Sequence, residues 1–245
     1  MPQSFPGFSP KALAFFRQLA RNNKREWFQP RKEQFEQLVR QPMLELVEQV
    51  VNDLRGFAID HVLEPKKAVY RIYRDTRFSN DKSPYKTHIA AIFPHARLPK
   101  HAGAGYYFAI SHEGLQIGGG AYGPGPNELA ALREAIVRDE RAFRKLIESK
   151  PLQRLLGELQ GEQLSRVPRG YAADHRAADL LRRKQLYFFT AMKPEAALKP
   201  SVRRTIVERF RVMTPVIEWF NEQMLKAVEA AEAEAERPRR PEPMF

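Results

Sequence analysis

Arg71-Ile72-Tyr73-Arg74-Asp75-Thr76-Arg77-Phe78-Ser79-Asn80-Asp81-Lys82-Ser83-Pro84-Tyr85-Lys86-Thr87-His88 packs cations, hydroxyls and aromatics into one short stretch. From Lys66 to His88 seven Lys or Arg stand against two Asp. Guanidinium forks match the paired oxygens of phosphate and carboxylate, and lysine adds a compact charge, so the chemistry suggested is recognition of an anion. In a regular strand Tyr70, Ile72 and Arg74 would face one way and Arg71, Tyr73 and Asp75 the other. Arg71 and Arg74 then cannot share a face. Convergence depends on the loop beyond Asp75 folding Arg77, Lys82 and Lys86 back toward a strand arginine. Asn80-Asp81 and Ser83-Pro84 form turns readily, and Ser79, Ser83 and Thr87 add neutral donors.

A structural alternative has Asp75 and Asp81 pairing with arginines to pin the loop, although two acids leave most of the cations unpaired. Tyr73, Phe78 and Tyr85 have the composition of a base-stacking surface; ordinary aromatic cover for a sheet is the preferred reading of them. The six histidines show neither H-E-x-x-H nor a paired i, i+4 spacing, so no metal is expected. His88 near Asp75 and Asp81, and His175 beside Asp174, are the groups suited to acid–base work. Ser79, Ser83 and Ser111 lack a nucleophile-elbow context, and no nucleophile is assigned. The absence of cysteine excludes disulfides, thiolate catalysis, zinc ribbons and iron–sulfur clusters.

The positioning elements follow from apolar period. Ser9-Pro10 reads as N-cap and first turn of a helix carrying Leu13, Phe16, Leu19 and Ala20, which Asn22-Asn23 stops. Pro30 opens a second stretch with Phe35 and Leu38. Pro42 opens a third, carrying Met43, Leu46, Val47, Val50, Val51 and Leu54 up to Gly56. Then the period shortens. Phe57–Ile59, Ala68–Tyr73, Thr87–Phe93, Gly105–Ser111 and Leu115–Gly119 read as strands of a mainly antiparallel sheet. His112-Glu113-Gly114 is the expected hairpin turn, with Gly114 free to take a positive φ. For Gly118-Gly119-Gly120, a bulge or close backbone packing outweighs a phosphate cradle, because no Gly-Lys-Ser/Thr follows. Helices resume with Asn127 as N-cap and again at Pro151. The loop Arg166–His175 leads to the apolar run Leu186–Phe189, and a last helix from about Ser201 is expected to bend at Pro215.

These elements predict one α+β domain over residues 1–228, with a sheet of about four to six strands packed by N-terminal and C-terminal helices, and a charged, Pro-rich tail at 229–245. The balance of 41 Lys plus Arg against 29 Asp plus Glu, formally +12, favours phosphates, nucleic acid or acidic surfaces. No leader is evident at the N-terminus and no apolar run reaches bilayer length, so a cytoplasmic protein with no membrane partner is expected.

Asn22-Asn23 with Trp27-Phe28, the block Arg71–Lys86, Gly105–Phe108, Gly119-Gly120, and Pro168-Arg169-Gly170-Tyr171 with Asp174-His175 together resemble the bacterial and fungal family of conserved hypothetical proteins catalogued as domain of unknown function 2461. The most specific part is R-x-x-R-D-x-R-F-S-x-D-K-S-P-Y-K. The resemblance runs from about Phe8 to Asn221 and implies a single α+β domain; it brings no activity, cofactor or catalytic residue with it. The binding set expected from the sequence is Arg71, Arg74, Asp75, Arg77, Asp81, Lys82, Ser83, Tyr85 and Lys86, joined by Arg169, Tyr171 and His175. Its ligand would be a phosphate-containing small molecule, such as a nucleotide, or nucleic acid, and no cofactor is implied. The alternatives are a metal-assisted phosphoester hydrolase using Asp75, Asp81 and His88, and an interaction module for an acidic protein.

Overall fold

The computed structural model describes residues 4–77 and 79–235; residues 1–3, Phe78 and residues 236–245 lie outside the described residues. Helices flank one antiparallel sheet, the α+β arrangement that the alternating periods predict. Helix α1 (Pro10–Arg21) buries Ala12, Leu13, Phe15, Phe16 and Leu19 along one face, the i, i+3, i+4 stripe of an amphipathic helix. It stops at Asn22, whose N–H returns to Gln18 and Leu19 carbonyls. Ser9 is extended, but its side chain makes no capping bond.

From Arg25 to Leu54 the chain stays helical while the ladder changes twice. α2 (Arg25–Phe28) passes through a 3-10 turn at Gln29–Arg31 into α3 (Lys32–Phe35), then a π-helical turn at Glu36–Arg40 leads into α4 (Gln41–Leu54). Pro30 and Pro42 sit at these changes, where each removes the N–H that a continuous α-helical ladder needs. α4 buries Met43, Leu46, Val47, Val50, Val51 and Leu54, the face that its spacing predicts.

Two of the expected strands do not form. Phe57–Ile59 is a turn entering a 3-10 segment at Ile59–His61, and Ile59 is 64% exposed. A three-residue apolar patch has no ladder partner there; the Arg211 guanidinium covers Phe57 instead, 4.2 Å from its ring. Ala68 closes the short helix α5 (Pro65–Ala68), and Val69–Tyr73 forms only single bridges, Val69 with Ala91 and Tyr73 with Tyr85. It is an irregular hairpin arm lying along the edge of the sheet.

The sheet is a meander, β1 (His88–Phe93), β2 (Gly105–Ser111), β3 (Leu115–Ala121) and β4 (Leu186–Met192), with every neighbouring pair antiparallel. At the β2–β3 turn the Ser111 hydroxyl accepts from the N–H groups of Glu113 and Gly114. Gly114 does not take a positive φ. Its need is space, since a Cβ would lie 2.4 Å from the Met192 carbonyl oxygen. Between β3 and β4 the chain inserts α6 (Pro126–Arg138), α7 (Glu140–Ile147), α8 (Lys150–Leu156) and α9 (Ala178–Leu181). α6 starts one residue before Asn127, with Gly125 in the cap position; Asp139 caps α7 by accepting from the Ala142 N–H. α10 (Val202–Ala235) continues through Pro215 and through 229–235, where the sequence pattern predicts a frayed tail.

α10 covers one face of the sheet. Phe210 packs on Phe93 and Tyr106, and the Thr214 hydroxyl bonds Tyr106 Oη at 2.9 Å. Gly119 permits this approach, because a Cβ there would meet Ile217 and Met213 at 3.0 and 3.2 Å. The register puts Ile92, Tyr107, Gly118 and Phe189 in one row of the opposite face, and Gly105, Gly120 and Tyr187 in the next. Among the described residues no helix is long and apolar enough to cross a membrane.

Candidate functional site

The basic motif is the turn of the irregular hairpin whose outgoing arm becomes β1. Its arms are joined by Arg74 N–H to Pro84 O, Lys86 N–H to Ile72 O and Tyr70 N–H to Ala90 O, at 3.0, 2.8 and 2.9 Å. Asn23, just beyond α1, clamps the hairpin: its amide donates to Tyr85 O at 2.9 Å, and its oxygen accepts from Tyr85 N–H at 3.1 Å. The Tyr85 ring is buried and stacked on Phe28 with centroids 4.2 Å apart, so it anchors the hairpin in the core. Asn23→Ala should strip both backbone groups of their partners and lower stability by about 1–3 kcal/mol, read as a lower urea midpoint.

Within the turn each aspartate holds a partner. Asp81 pairs with the Arg74 guanidinium and accepts from Ser83 N–H and Oγ at 2.9 and 2.5 Å; Asp75 accepts from Arg77 Nε and Nη2 at 3.0 and 2.7 Å. Hydrogen bonds from Arg77 hold the Asp75 carboxyl down to about 2, and those from Ser83 with Arg74 do the same for Asp81, also about 2. Lys82 and Lys86 donate to the Thr76 and Arg71 carbonyls at 2.9 and 3.1 Å. A carbonyl satisfies an ammonium N–H without cancelling its charge. Burial, with Arg71 nearby, lowers Lys86, and burial with Lys86 and Arg74 nearby lowers His88 from its ordinary value.

Arg74, Asp75, Asp81, Ser83, Lys86 and His88 line one hollow of about 600 Å³, closed on the α1 side by Asn23. Arg71, Arg77 and Lys82 do not line it. Arg169, Tyr171 and His175 do not line it either; they belong to the segment that follows the Gln160 and Gln163 bridges on the β4 side of the sheet. Three strand intervals, roughly 14 Å, separate β4 from β1. Tyr171 packs on the core there, and His175 Nδ1 accepts from Ala177 N–H at 3.1 Å.

A second opening, which the sequence does not reveal, lies on the uncovered sheet face. Tyr70, Tyr107, Gln116, Tyr122, Tyr187 and Phe189 wall a groove of about 600 Å³ floored by Gly105, Gly118 and Gly120. Tyr70 joins it to the hollow, since the Lys86 and Lys100 amines sit 4.9 and 5.2 Å from the Tyr70 ring centre.

The family model of the conserved hypothetical protein DUF2461 matches residues 11–219, which include the hairpin and all four strands. The chain belongs to that family. No curated protein and no solved structure matches it. In this DUF2461 member a third recess, beside α4 and α10, holds Asp60, His61, His95 and Glu218. Its rings are already committed: His61 Nδ1 to Phe93 O at 2.9 Å and Nε2 to Asn221, His95 Nδ1 to Arg97 N–H at 3.2 Å. No group of three or more His, Asp or Glu suited to a metal ion occurs among the described residues.

Proposed function

We propose that this protein is a cytoplasmic binder of a phosphate-bearing ligand, a nucleotide or nucleic acid, held in the hairpin hollow. The observation that carries the reading is that Arg74 and Lys86 line one cavity together, with Ser83 and Asn23 in its wall. Asp81 engages one Nη of Arg74 and Ser79 Oγ accepts from the other, which orients the planar fork and leaves further N–H groups for an incoming oxygen. Lys86 spends one N–H on Arg71 O and keeps two. With seven cations against two acids between Lys66 and His88, the surrounding potential draws anions in.

Thermal shift and anisotropy with nucleotides, tripolyphosphate and labelled oligonucleotides at low salt test this. Lys86→Ala and Arg74→Ala should each weaken binding roughly tenfold or more, the worth of a charge-assisted bond, and the exposed Lys11→Ala should not. An unchanged melting temperature and no oligonucleotide binding across the panel would remove the reading.

The second reading is phosphoester hydrolysis, favoured by Asp75, Asp81 and His88 lining the same hollow. Burial, with Lys86 and Arg74 nearby, lowers His88 and so favours the neutral ring that can accept a proton. Turnover of a generic phosphodiester with magnesium or manganese, lost in Asp75→Asn, would support it; no turnover under either ion would end it.

A further inference from the structure

The uncovered face of the sheet is built as a row of rings around a bare floor. Tyr70 beside β1, Tyr107 on β2, Tyr122 after β3, and Tyr187 and Phe189 on β4 reach the groove from every part of the sheet. Gly105, Gly118 and Gly120 leave the middle empty. Backbone crowding enforces that emptiness: a Cβ at Gly118 would lie 2.6 Å from Phe188 O, and one at Gly120, whose φ is +130°, would lie 2.4 Å from Leu186 O.

The rings are not buried as a core would bury them. Tyr122 is 66% exposed, and its ring lies 5.2 Å from that of Tyr187 in a tilted pair. Burial, with Tyr70 and Tyr122 nearby, pushes the Tyr107 phenol up to about 12. The charges at the rim are positive. Lys86 belongs at once to the hollow and, through Tyr70, to the groove, and Lys100 meets the same ring from the groove side.

We propose that this face is a stacking platform for unpaired bases, so that the occupant of hollow and groove together is single-stranded nucleic acid, with its phosphates tracked by Lys100, Lys86 and Arg74. Rings with a cationic margin are the combination that binds single strands, because every base offers a π-face while the backbone needs positive charge. A neutral sugar would use the rings and leave the lysines idle. The rings span the whole width of the sheet, more than one base covers, which favours a strand over a mononucleotide. The inference rests on the reading of the hollow as a phosphate site, and the two can fail separately.

The test uses the full chain with labelled short oligo(dT) and oligo(U), and with tripolyphosphate as a probe lacking bases. Tyr187→Ala and Phe189→Ala should each weaken oligonucleotide binding roughly 5- to 100-fold, as loss of one stacked base does, and leave tripolyphosphate binding unchanged. Tyr122→Ala, at an exposed site whose melting temperature should not move, should act in the same direction. Oligonucleotide binding that falls in Lys86→Ala yet is untouched by all three aromatic variants would overturn the platform and leave the hollow standing. Binding that falls in the aromatic variants and not in Lys86→Ala would support the platform and reject the hollow. Absence of oligonucleotide binding by the wild type at low salt, or equal binding of a duplex through the same rings, would overturn the platform outright.

Discussion

Phe210→Ala is expected to lower the unfolding free energy by about 3–5 kcal/mol, toward the upper end of the range for an emptied aromatic site. Phe210 is completely buried where α10 crosses the sheet, with its ring 5.7 Å from Phe93 and 4.8 Å from Tyr106. The cost depends on how far the surroundings can close over the cavity. Here they cannot close far. The sheet on one side is locked by its ladder, and on the other the helix is held at its distance by the bond between Thr214 and Tyr106 and by contact with Gly119. For a chain of this size the loss corresponds to a melting temperature lower by roughly 10 °C. Tyr122→Ala, on the opposite and open face, should change stability by less than about 0.5 kcal/mol. A Phe210→Ala loss below about 1 kcal/mol would mean that α10 is not the principal cover of the sheet.

The elements readable in advance were those whose burial is one-sided and continuous. α1 and α4 announce themselves through apolar stripes bounded by Pro10, Asn22 and Pro42, and β2 through its run between Gly105 and the turn at Ser111. β4 reads only as the apolar run Leu186–Phe189, because its partner β3 is separated from it by four helices and nothing local names the pairing. Val69–Tyr73 has strand composition and makes single bridges, since it pairs with a strand edge through a bend at Ile72. The site divides in the same way. Composition reveals the surplus of cations but not their directions. That Arg77 turns back on Asp75, and that Arg74 meets Asp81 across the turn, depends on loop torsions that residue types alone do not fix. Arg169, Tyr171 and His175 are set apart from the hairpin by the sheet's strand order. The groove is invisible locally because its rings come from separate segments and meet only through register.

Acidification should destabilise the fold through His61. Its folded-state pKa is depressed from 6.5 to about 4, chiefly by burial, with the bond to Phe93 opposing and His95 adding to the depression. The unfolded chain therefore takes up a proton near pH 6.5 while the folded chain stays neutral until about pH 4. More protons bind to the unfolded state across that window, so stability falls as pH drops through it. The loss from this one group totals about 3 kcal/mol and is complete below the folded value. Burial is costly here because the added proton finds no acceptor. His61 Nδ1–H donates to Phe93 O, which leaves Nε2 to accept from the Asn221 amide. That amide cannot turn over, because Asn221 Oδ1 accepts from Ala104 N–H at 2.9 Å and Nδ2 donates to Ala104 O at 3.1 Å. A proton on Nε2 would point at another N–H group in a buried site. His88 and His95 are lowered in the same direction and add to the slope, so the measurement is a difference between wild type and His61→Gln. Urea unfolding at a series of pH values between 7 and 4 should show a shallower decline in His61→Gln, even if the variant starts less stable. Parallel declines in the two proteins would show that His61 is protonated in the folded state, and that the network joining α10 to the start of β2 can accommodate the charge.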